Sequence, residues 1–258
     1  MKNIKFKFAA VSALVMLASS SFAQTYTVKF GGGYVDPHAT SSDLQGTAPG
    51  LPAPYNTVPA GARLEVQPKS TVLFSVARSF GDHWEAEMLL GVPPKHDVKL
   101  LVSDSIKALR SSANPYVAGL ATKLTAYDGN VMSTVETIAP TFFLNYKFLE
   151  ATSNWRPYIG AGLNYTHFKA KATARGVEFY NGNSVDIELS DSYGLALQAG
   201  VSYKFDQNWS LNAGLSSTMI KNDLTITSRN ASGTTTSRQT AKYDFQPTVL
   251  SLMVGYSF

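Results

Sequence analysis

The side chains that could do chemistry in this chain are few and scattered. Four histidines, His38, His83, His96 and His167, stand in a sequence with no cysteine, and their spacing is not that of a zinc site. A hydrolase or acyltransferase would need a serine, a histidine and an acid within hydrogen-bond reach. The available set is His96 with Asp97, Ser103 and His167; it falls on separate segments and matches no local signature. No catalytic residue, metal or cofactor is therefore expected, and His96, directly after Pro93-Pro94-Lys95, is the most suggestive of the four histidines. A second group is ionic. Glu85 and Glu87 share a parity, and Lys29, Asn145, Lys147, Gln198 and Lys204 fall on the same side of their own segments. Opposite charges turned away from water must pair, so these seven residues read as a polar plug.

The elements that carry them are strands. From Thr25 onward the dominant period is two, clearest over Tyr193-Gly194-Leu195-Ala196-Leu197-Gln198-Ala199-Gly200-Val201-Ser202-Tyr203-Lys204-Phe205. One parity there is apolar and the other small or polar, as in a strand with lipid on one face and a lumen on the other. Eight such segments are expected, at 25–35, 66–80, 84–95, 134–148, 156–170, 189–205, 209–223 and 243–258. Short links at Gly81-Asp82-His83, 149–154 and Asp206-Gln207-Asn208 alternate with long ones at 36–65, 96–133, 171–188 and 224–242. This alternation puts all short turns at one end of a cylinder and all long loops at the other. Trp84, Trp155 and Trp209 each follow a short turn and form an interfacial belt. The expected fold is all-β, an eight-stranded antiparallel transmembrane β-barrel with short periplasmic turns and long extracellular loops.

Composition agrees. Charged residues make up 16% of the 258 positions, against about 25% in soluble proteins, while 44% are hydrophobic and 12% aromatic. Three of the cations behind the formal charge of +4 are Lys2, Lys5 and Lys7, which leaves a near-neutral body without the cationic clusters that nucleic acid requires. Those lysines, the apolar stretch Phe8–Ala18 and the small residues Ser21 and Ala23 make 1–23 a secretory signal peptide. The remaining 24–258 is the outer-membrane β-barrel domain, and no later apolar run approaches the length of a membrane helix.

Eight strands leave a lumen that side chains nearly fill. Inward parity places Leu73, Leu89, Phe143, Tyr158, Phe168 and Met253 along it, among glycines such as Gly160, Gly162, Gly194, Gly200 and Gly214. The plug residues fall toward the short-turn end, sealing the periplasmic side. Pro140, inside a strand, lacks the N–H that closes a ladder and marks a candidate lateral opening. The first long loop, with Pro37, Pro49, Pro52, Pro54 and Pro59, reads as irregular and mobile. In the second, Asp104 would cap a short helix through Ile106 and Leu109, ending before Asn114-Pro115. The polar fourth loop reads as a solvated hairpin.

Longer stretches carry a family likeness: Leu90-Gly91-Val92-Pro93-Pro94-Lys95-His96, Ala139-Pro140-Thr141, Arg156-Pro157-Tyr158-Ile159-Gly160-Ala161-Gly162-Leu163-Asn164-Tyr165-Thr166, Asp191-Ser192-Tyr193-Gly194 and Val254-Gly255-Tyr256-Ser257-Phe258. The chain resembles the outer membrane protein W family over essentially its whole length after the signal. The resemblance implies a Gram-negative outer membrane and a narrow passage for small hydrophobic molecules. Lipopolysaccharide makes the outer surface a poor solvent for such molecules, so release sideways into the bilayer near Pro140 is expected. Family members often carry two adjacent prolines in strand four, where this chain has Ala139-Pro140. Leu252, Val254, Tyr256 and the terminal Phe258 resemble the signal read by the barrel assembly machinery. Outer-membrane lipid, lipopolysaccharide and a small hydrophobic ligand are the expected partners. Nucleic acid is not, and a monomer is expected because a closed barrel has no unpaired edge. The competing expectation is a structural or receptor barrel with a closed interior and partner-binding loops.

Overall fold

The computed structural model describes residues 25–258, so the expected signal segment at 1–23 lies outside the described residues. The strands are β1 (Tyr26–Asp36), β2 (Ala39–Thr40), β3 (Gln45–Gly46), β4 (Ala62–Val66), β5 (Lys69–Phe80), β6 (Trp84–Gly91), β7 (Lys95–Val102), β8 (Val131–Ile138), β9 (Thr141–Lys147), β10 (Trp155–Ala172), β11 (Ser184–Leu189), β12 (Ser192–Lys204), β13 (Trp209–Thr218), β14 (Ile220–Arg229), β15 (Thr235–Phe245) and β16 (Thr248–Ser257). Three α-helices, α1 (Asp104–Ala108), α2 (Pro115–Ala126) and α3 (Ala174–Phe179), lie in the loops.

Eight strands close on themselves in the order β1, β5, β6, β9, β10, β12, β13, β16, every pair antiparallel. Closure is complete at the chain ends, where Tyr26 and Phe258 exchange backbone hydrogen bonds of 3.1 and 2.9 Å. No edge is left in this ring, which meets the requirement that lipid imposes on every backbone polar group. Its outer face carries exposed Phe30, Phe74, Leu163, Leu195, Leu250 and Leu252. That pattern would be an aggregation surface in water and is the ordinary one against hydrocarbon. At the short-turn end, register sets Trp84 opposite Tyr146, Trp155 opposite Tyr203 and Trp209 opposite Tyr256. The rings meet at centroid distances of 5.2, 4.6 and 4.9 Å, a girdle of paired amphipathic rings.

Above the lipid-facing band the wall continues as a crown. One crown sheet runs from upper β10 through β8, β7 and β4 to β2, and the other holds β11, β14, β15 and β3. Alternation persists but its outward partner changes, because Lys95, Asp97, Lys99, Lys169, Lys171, Lys221 and Lys242 take the positions that lipid-facing residues hold below. Inward stand Leu64, Val98, Leu100, Val135, Phe168, Leu224, Ile226 and Tyr243, a continuous buried core. Ile106 of α1 and Leu120, Ala121 and Leu124 of α2 join that core, so both helices pack on the crown.

Several expectations need correction here. The strands expected at 66–80, 84–95, 134–148, 189–205, 209–223 and 243–258 each divide, at 67–68, 92–94, 139–140, 190–191, Met219 and 246–247, while β10 runs unbroken for 18 residues. Much of the four expected long loops is crown strand. The first loop helix does end before Asn114-Pro115, but that pair also begins a second, unexpected helix. The Asn114 side chain accepts from the Tyr116 and Val117 amides and Pro115 takes the first helical position, where no N–H is needed. Ser103, not Asp104, caps α1. The proline-rich first loop is packed rather than loose, with Leu44, Ala48, Val58 and Ala62 buried in the crown core. The fourth loop is a hairpin, as its composition suggests, but it turns Ile226 and Gln239 inward.

Candidate functional site

The lumen has two parts of opposite character. Toward the short turns lies an ionic network built from strand positions of inward parity. The Lys29 ammonium donates to Glu85 Oε1 at 3.1 Å and to Glu87 Oε1 at 2.8 Å, all three side chains being nearly inaccessible. Lys147 pairs with the other Glu85 oxygen. Asn145 Nδ2 donates to Glu87 at 3.0 Å, Ser75 to Glu87 at 2.6 Å, and Gln198 to Asn145 at 2.5 Å and Glu87 at 3.3 Å. Two cations balance two anions, and the carboxylates hold further neutral donors, which a buried charge cluster requires. The structure thus brings together six of the seven residues expected to form the plug. Lys204 stands apart, because its ammonium reaches the Ala151 carbonyl at 2.9 Å in the short turn instead.

Room for this network comes from glycine. A Cβ at Gly160 would collide with Asn145 Oδ1, and one at Gly200 or Gly214 would lie within 2.5 and 2.8 Å of the Tyr158 hydroxyl. Ser75 and Arg156 were not singled out in the sequence. Arg156 donates to the Asp82 and Leu149 carbonyls at 2.5 and 3.1 Å and ties two short turns together. Its inward parity beside Trp155 was the available signal.

Toward the outside the lumen opens into an apolar cavity of about 150 Å³. Leu73, Leu89 and Phe168 line it, while Phe143, Tyr158 and Met253 are buried in the lumen without bordering it. Most of the remaining lining is aliphatic, from Leu64, Val98, Ile187, Leu224 and Ile226 among others. Nine polar side chains interrupt it, Ser133, Thr137, Ser216 and Thr218 among them. One is His96, whose Nδ1 meets the Gln67 carbonyl at 2.8 Å. A carbonyl only accepts, so Nδ1 carries the proton, and burial pushes the imidazole pKa below its ordinary value. The ring is neutral at pH 7 with its lone pair on Nε2. A second is Asn222, 6% exposed, with Oδ1 buried and unpartnered.

At one place the cavity meets the wall. The β6–β9 ladder stops at Leu89 opposite Thr141, and the β7–β8 ladder resumes at Lys95 opposite Glu136. The intervening links contain Val92-Pro93-Pro94 and Ala139-Pro140. Among strand residues that line the cavity, Leu90 alone has outward parity, beside inward Leu89, and Gly91, Pro94, Ala139 and Thr141 complete this flank. Pro140 is not itself a lining residue, and its carbonyl accepts from the Tyr165 amide at 3.2 Å.

These breaks form a ring. Pro37 and Pro247 fall opposite each other if the β1–β16 register continues one step, and Asp36 falls opposite Pro68 on the β1–β5 register. With Pro93, Pro94 and Pro140, prolines mark five of the seven places where barrel strand passes into crown strand. In the sequence only Pro140 reads as a break in the wall, although each of these prolines follows or precedes an alternating run.

A family model for the OmpW family matches residues 26–258, almost the entire described chain. The chain belongs to the OmpW family. Outer membrane protein W of Vibrio cholerae is 42% identical over 83 residues, covering 30% of this chain and 35% of that protein. Its namesake in Escherichia coli is 34% identical over 113 residues, covering 43% and 50%. The aligned chain thus spans half or less of these curated relatives. Among solved structures, the outer membrane protein OprG from Pseudomonas aeruginosa superposes with a TM-score of 0.67 at 21% identity, covering 92% of this chain and 96% of that one. Outer membrane protein AlkL in lipid bilayers gives 0.53 at 18% identity, with 94% of each chain covered. As an OmpW-family barrel, the protein resides in the outer membrane.

The catalytic candidates do not assemble in this OmpW-family chain. Ser103 Oγ pairs with Ser105 Oγ at 2.7 Å and caps α1. His96 faces the cavity. His167 lies on the outer surface with Asp191 Oδ1 at 2.7 Å, and Asp191 also accepts from the Tyr165 hydroxyl at 2.6 Å. Those two bonds, that from Tyr165 foremost, hold the Asp191 carboxyl below the usual carboxylate range. Leu252, Val254, Tyr256 and Phe258 all face outward, toward lipid.

Proposed function

We propose that this barrel passes small hydrophobic molecules from the outside into the outer membrane, releasing them sideways between the β6–β7 and β8–β9 links. The reading rests above all on the cavity flank at Leu89 and Leu90. There one lining residue faces the lumen and the next faces lipid, in a wall segment where a single backbone hydrogen bond, from Thr137 N to the Pro94 carbonyl at 3.2 Å, stands between the two ladders. A molecule entering through the crown meets mostly aliphatic side chains. Moving straight on, it would meet the Lys29–Glu85–Glu87 network, where an apolar solute would displace charge-assisted hydrogen bonds at a cost of several kcal/mol. Moving sideways it meets only hydrocarbon, so the lateral route has the lower barrier. The charged outer face of the crown suits contact with lipopolysaccharide, the outward terminal residues serve as an assembly signal, and a monomer suffices.

The test is uptake of a small apolar probe by cells lacking the protein and complemented with it, at matched outer-membrane abundance. Faster uptake in complemented cells that changes with Pro140→Val and Phe143→Ala supports passage. Identical uptake in all strains supports the second reading, a receptor or structural barrel, which draws on the same sealed lower lumen.

A further inference from the structure

Lateral release accounts for how a molecule would leave the cavity and says nothing of how it arrives. Toward the outer ends of the crown strands the interior is packed, and Leu44, Val58, Leu100, Leu124, Phe179 and Tyr180 surround a void of only about 30 Å³. The wall is looser at one side. β10 and β12 pair as far as Thr166 opposite Ser192. Beyond that point β10 stays with β8 while β11 goes to β14, and among the described residues no ladder joins β10 to β11, although the two run side by side. Ser190 and Asp191 both face outward, a one-residue bulge that shifts the register by one. Phe168 then falls opposite Leu189 and Ala170 opposite Ile187, and all four line the cavity. The Tyr165 amide donates to the Pro140 carbonyl and the Ser190 amide to that of Asp223. By alternation the backbone groups of Phe168, Ala170, Ile187 and Leu189 point the other way, into the seam. The opposite junction of the two crown sheets is tied, by the Ser42 amide on the Lys242 carbonyl at 2.8 Å and the Lys242 amide on Ser42 Oγ at 3.0 Å.

We infer that small apolar molecules enter the cavity through this seam, in the side of the crown between β10 and β11. The inference rests on the passage reading above and adds its entrance. Inward the seam is flanked by apolar side chains that already border the cavity. Outward it is flanked by exposed Lys169 and Lys171 on β10 and by exposed Asp186 and Glu188 on β11. Charged flanks put its outer side in water and sugar rather than hydrocarbon, so it serves arrival from outside, whereas Leu90 at the other break faces lipid. Its base is fixed. Asp191 accepts from the Tyr165 hydroxyl at 2.6 Å and lies 2.7 Å from His167 Nδ1, both on β10, which confines the opening to the wall above them.

The shifted register sets Lys169 opposite Glu188, so Lys169→Cys with Glu188→Cys would staple the seam in a chain that has no other cysteine. Ala161→Cys with Leu197→Cys, opposite each other within the β10–β12 ladder, is the control staple. Both are pairs of the closer, non-hydrogen-bonded kind. The probe is radiolabelled benzene, which a cavity near 150 Å³ can hold. Its uptake is measured in cells lacking the protein and complemented with wild type or either variant, at matched outer-membrane abundance, before and after reduction with dithiothreitol. The seam staple is expected to abolish the protein-dependent part of uptake until it is reduced, and the control staple to leave the wild-type rate. Wild-type uptake above that of cells lacking the protein, yet unchanged by the seam staple, overturns the entrance and leaves passage standing. Equal loss from both staples overturns it as well, since stiffening the wall anywhere would then suffice. Wild-type uptake no faster than that of cells lacking the protein overturns the passage reading itself. Should the disulfide not form, a short bis-maleimide bridging the same two cysteines carries the same expectation.

Discussion

Removing the Lys29 ammonium is the most direct perturbation of the ionic network at the short-turn end. In Lys29→Met the volume is nearly kept, but Glu85 and Glu87 lose donors at 3.1 and 2.8 Å. The two acids then differ. Glu85 retains Lys147 as counter-charge. Glu87 retains only neutral donors, Ser75 at 2.6 Å, Asn145 at 3.0 Å and Gln198 at 3.3 Å. Breaking a buried pair so that one charge is uncompensated costs about 3–5 kcal/mol, and the single variant should lose that much. Adding Glu87→Gln makes the network neutral again around Glu85 and Lys147. The double variant should thus regain roughly half or more of the loss, a coupling of about 2 kcal/mol. Equilibrium urea unfolding in lipid vesicles reads both, with Trp84, Trp155 and Trp209 at the membrane boundary as fluorescent reporters. A double variant no more stable than Lys29→Met would refute the reasoning, as would a single variant within about 0.5 kcal/mol of wild type.

Burial holds the His96 pKa below its unfolded value, so the unfolded state binds more protons as pH falls below about 6.5. The crown should lose stability on acidification below that pH, with Lys69 and Asp97 as the charged neighbours. Amide exchange in β4 and β7 measured between pH 7.5 and 5 should show the loss, and His96→Gln should remove its pH dependence. Asn114→Ala deletes the cap on the Tyr116 and Val117 amides and should destabilise α2 by about 1 kcal/mol, seen as faster exchange in 115–126 with the barrel strands unchanged. Gly200→Ala drives a methyl toward the Tyr158 hydroxyl and should cost about 1–3 kcal/mol in the same urea assay.

The barrel was legible because lipid imposes a regular code. Every outward residue from Leu250 to Phe258 faces the same solvent, so period two survives without interruption. Inward positions follow from parity, which puts Glu85, Glu87 and Asn145 on one face from the sequence alone. Lys204 shows the limit of parity. It fixes a side but not a reach, and a lysine at a strand end can turn to a nearby carbonyl such as that of Ala151. The crown was illegible for a different reason. Above the membrane the outward residues become charged, and Ser- and Thr-rich stretches such as Thr225–Thr240 read as loop although Ile226, Ser228, Ser237 and Gln239 pack inward. Prolines at the strand breaks added to this, since each looked like the end of a strand and was instead a joint between two. Asn222 was overlooked because nothing in a polar stretch marks one carboxamide as buried.

Lateral exit is the central claim, and the absence of native cysteine permits a clean test of it. The β6–β9 register carried one step past Leu89 and Thr141 sets Leu90 opposite Pro140, so Leu90→Cys with Pro140→Cys would staple the wall at the break. Uptake of a small apolar probe is measured in vesicles containing the stapled barrel before and after reduction. The account predicts that the disulfide lowers uptake to the level of protein-free vesicles and that reduction restores it. Uptake that is the same in both states would contradict lateral release through this opening.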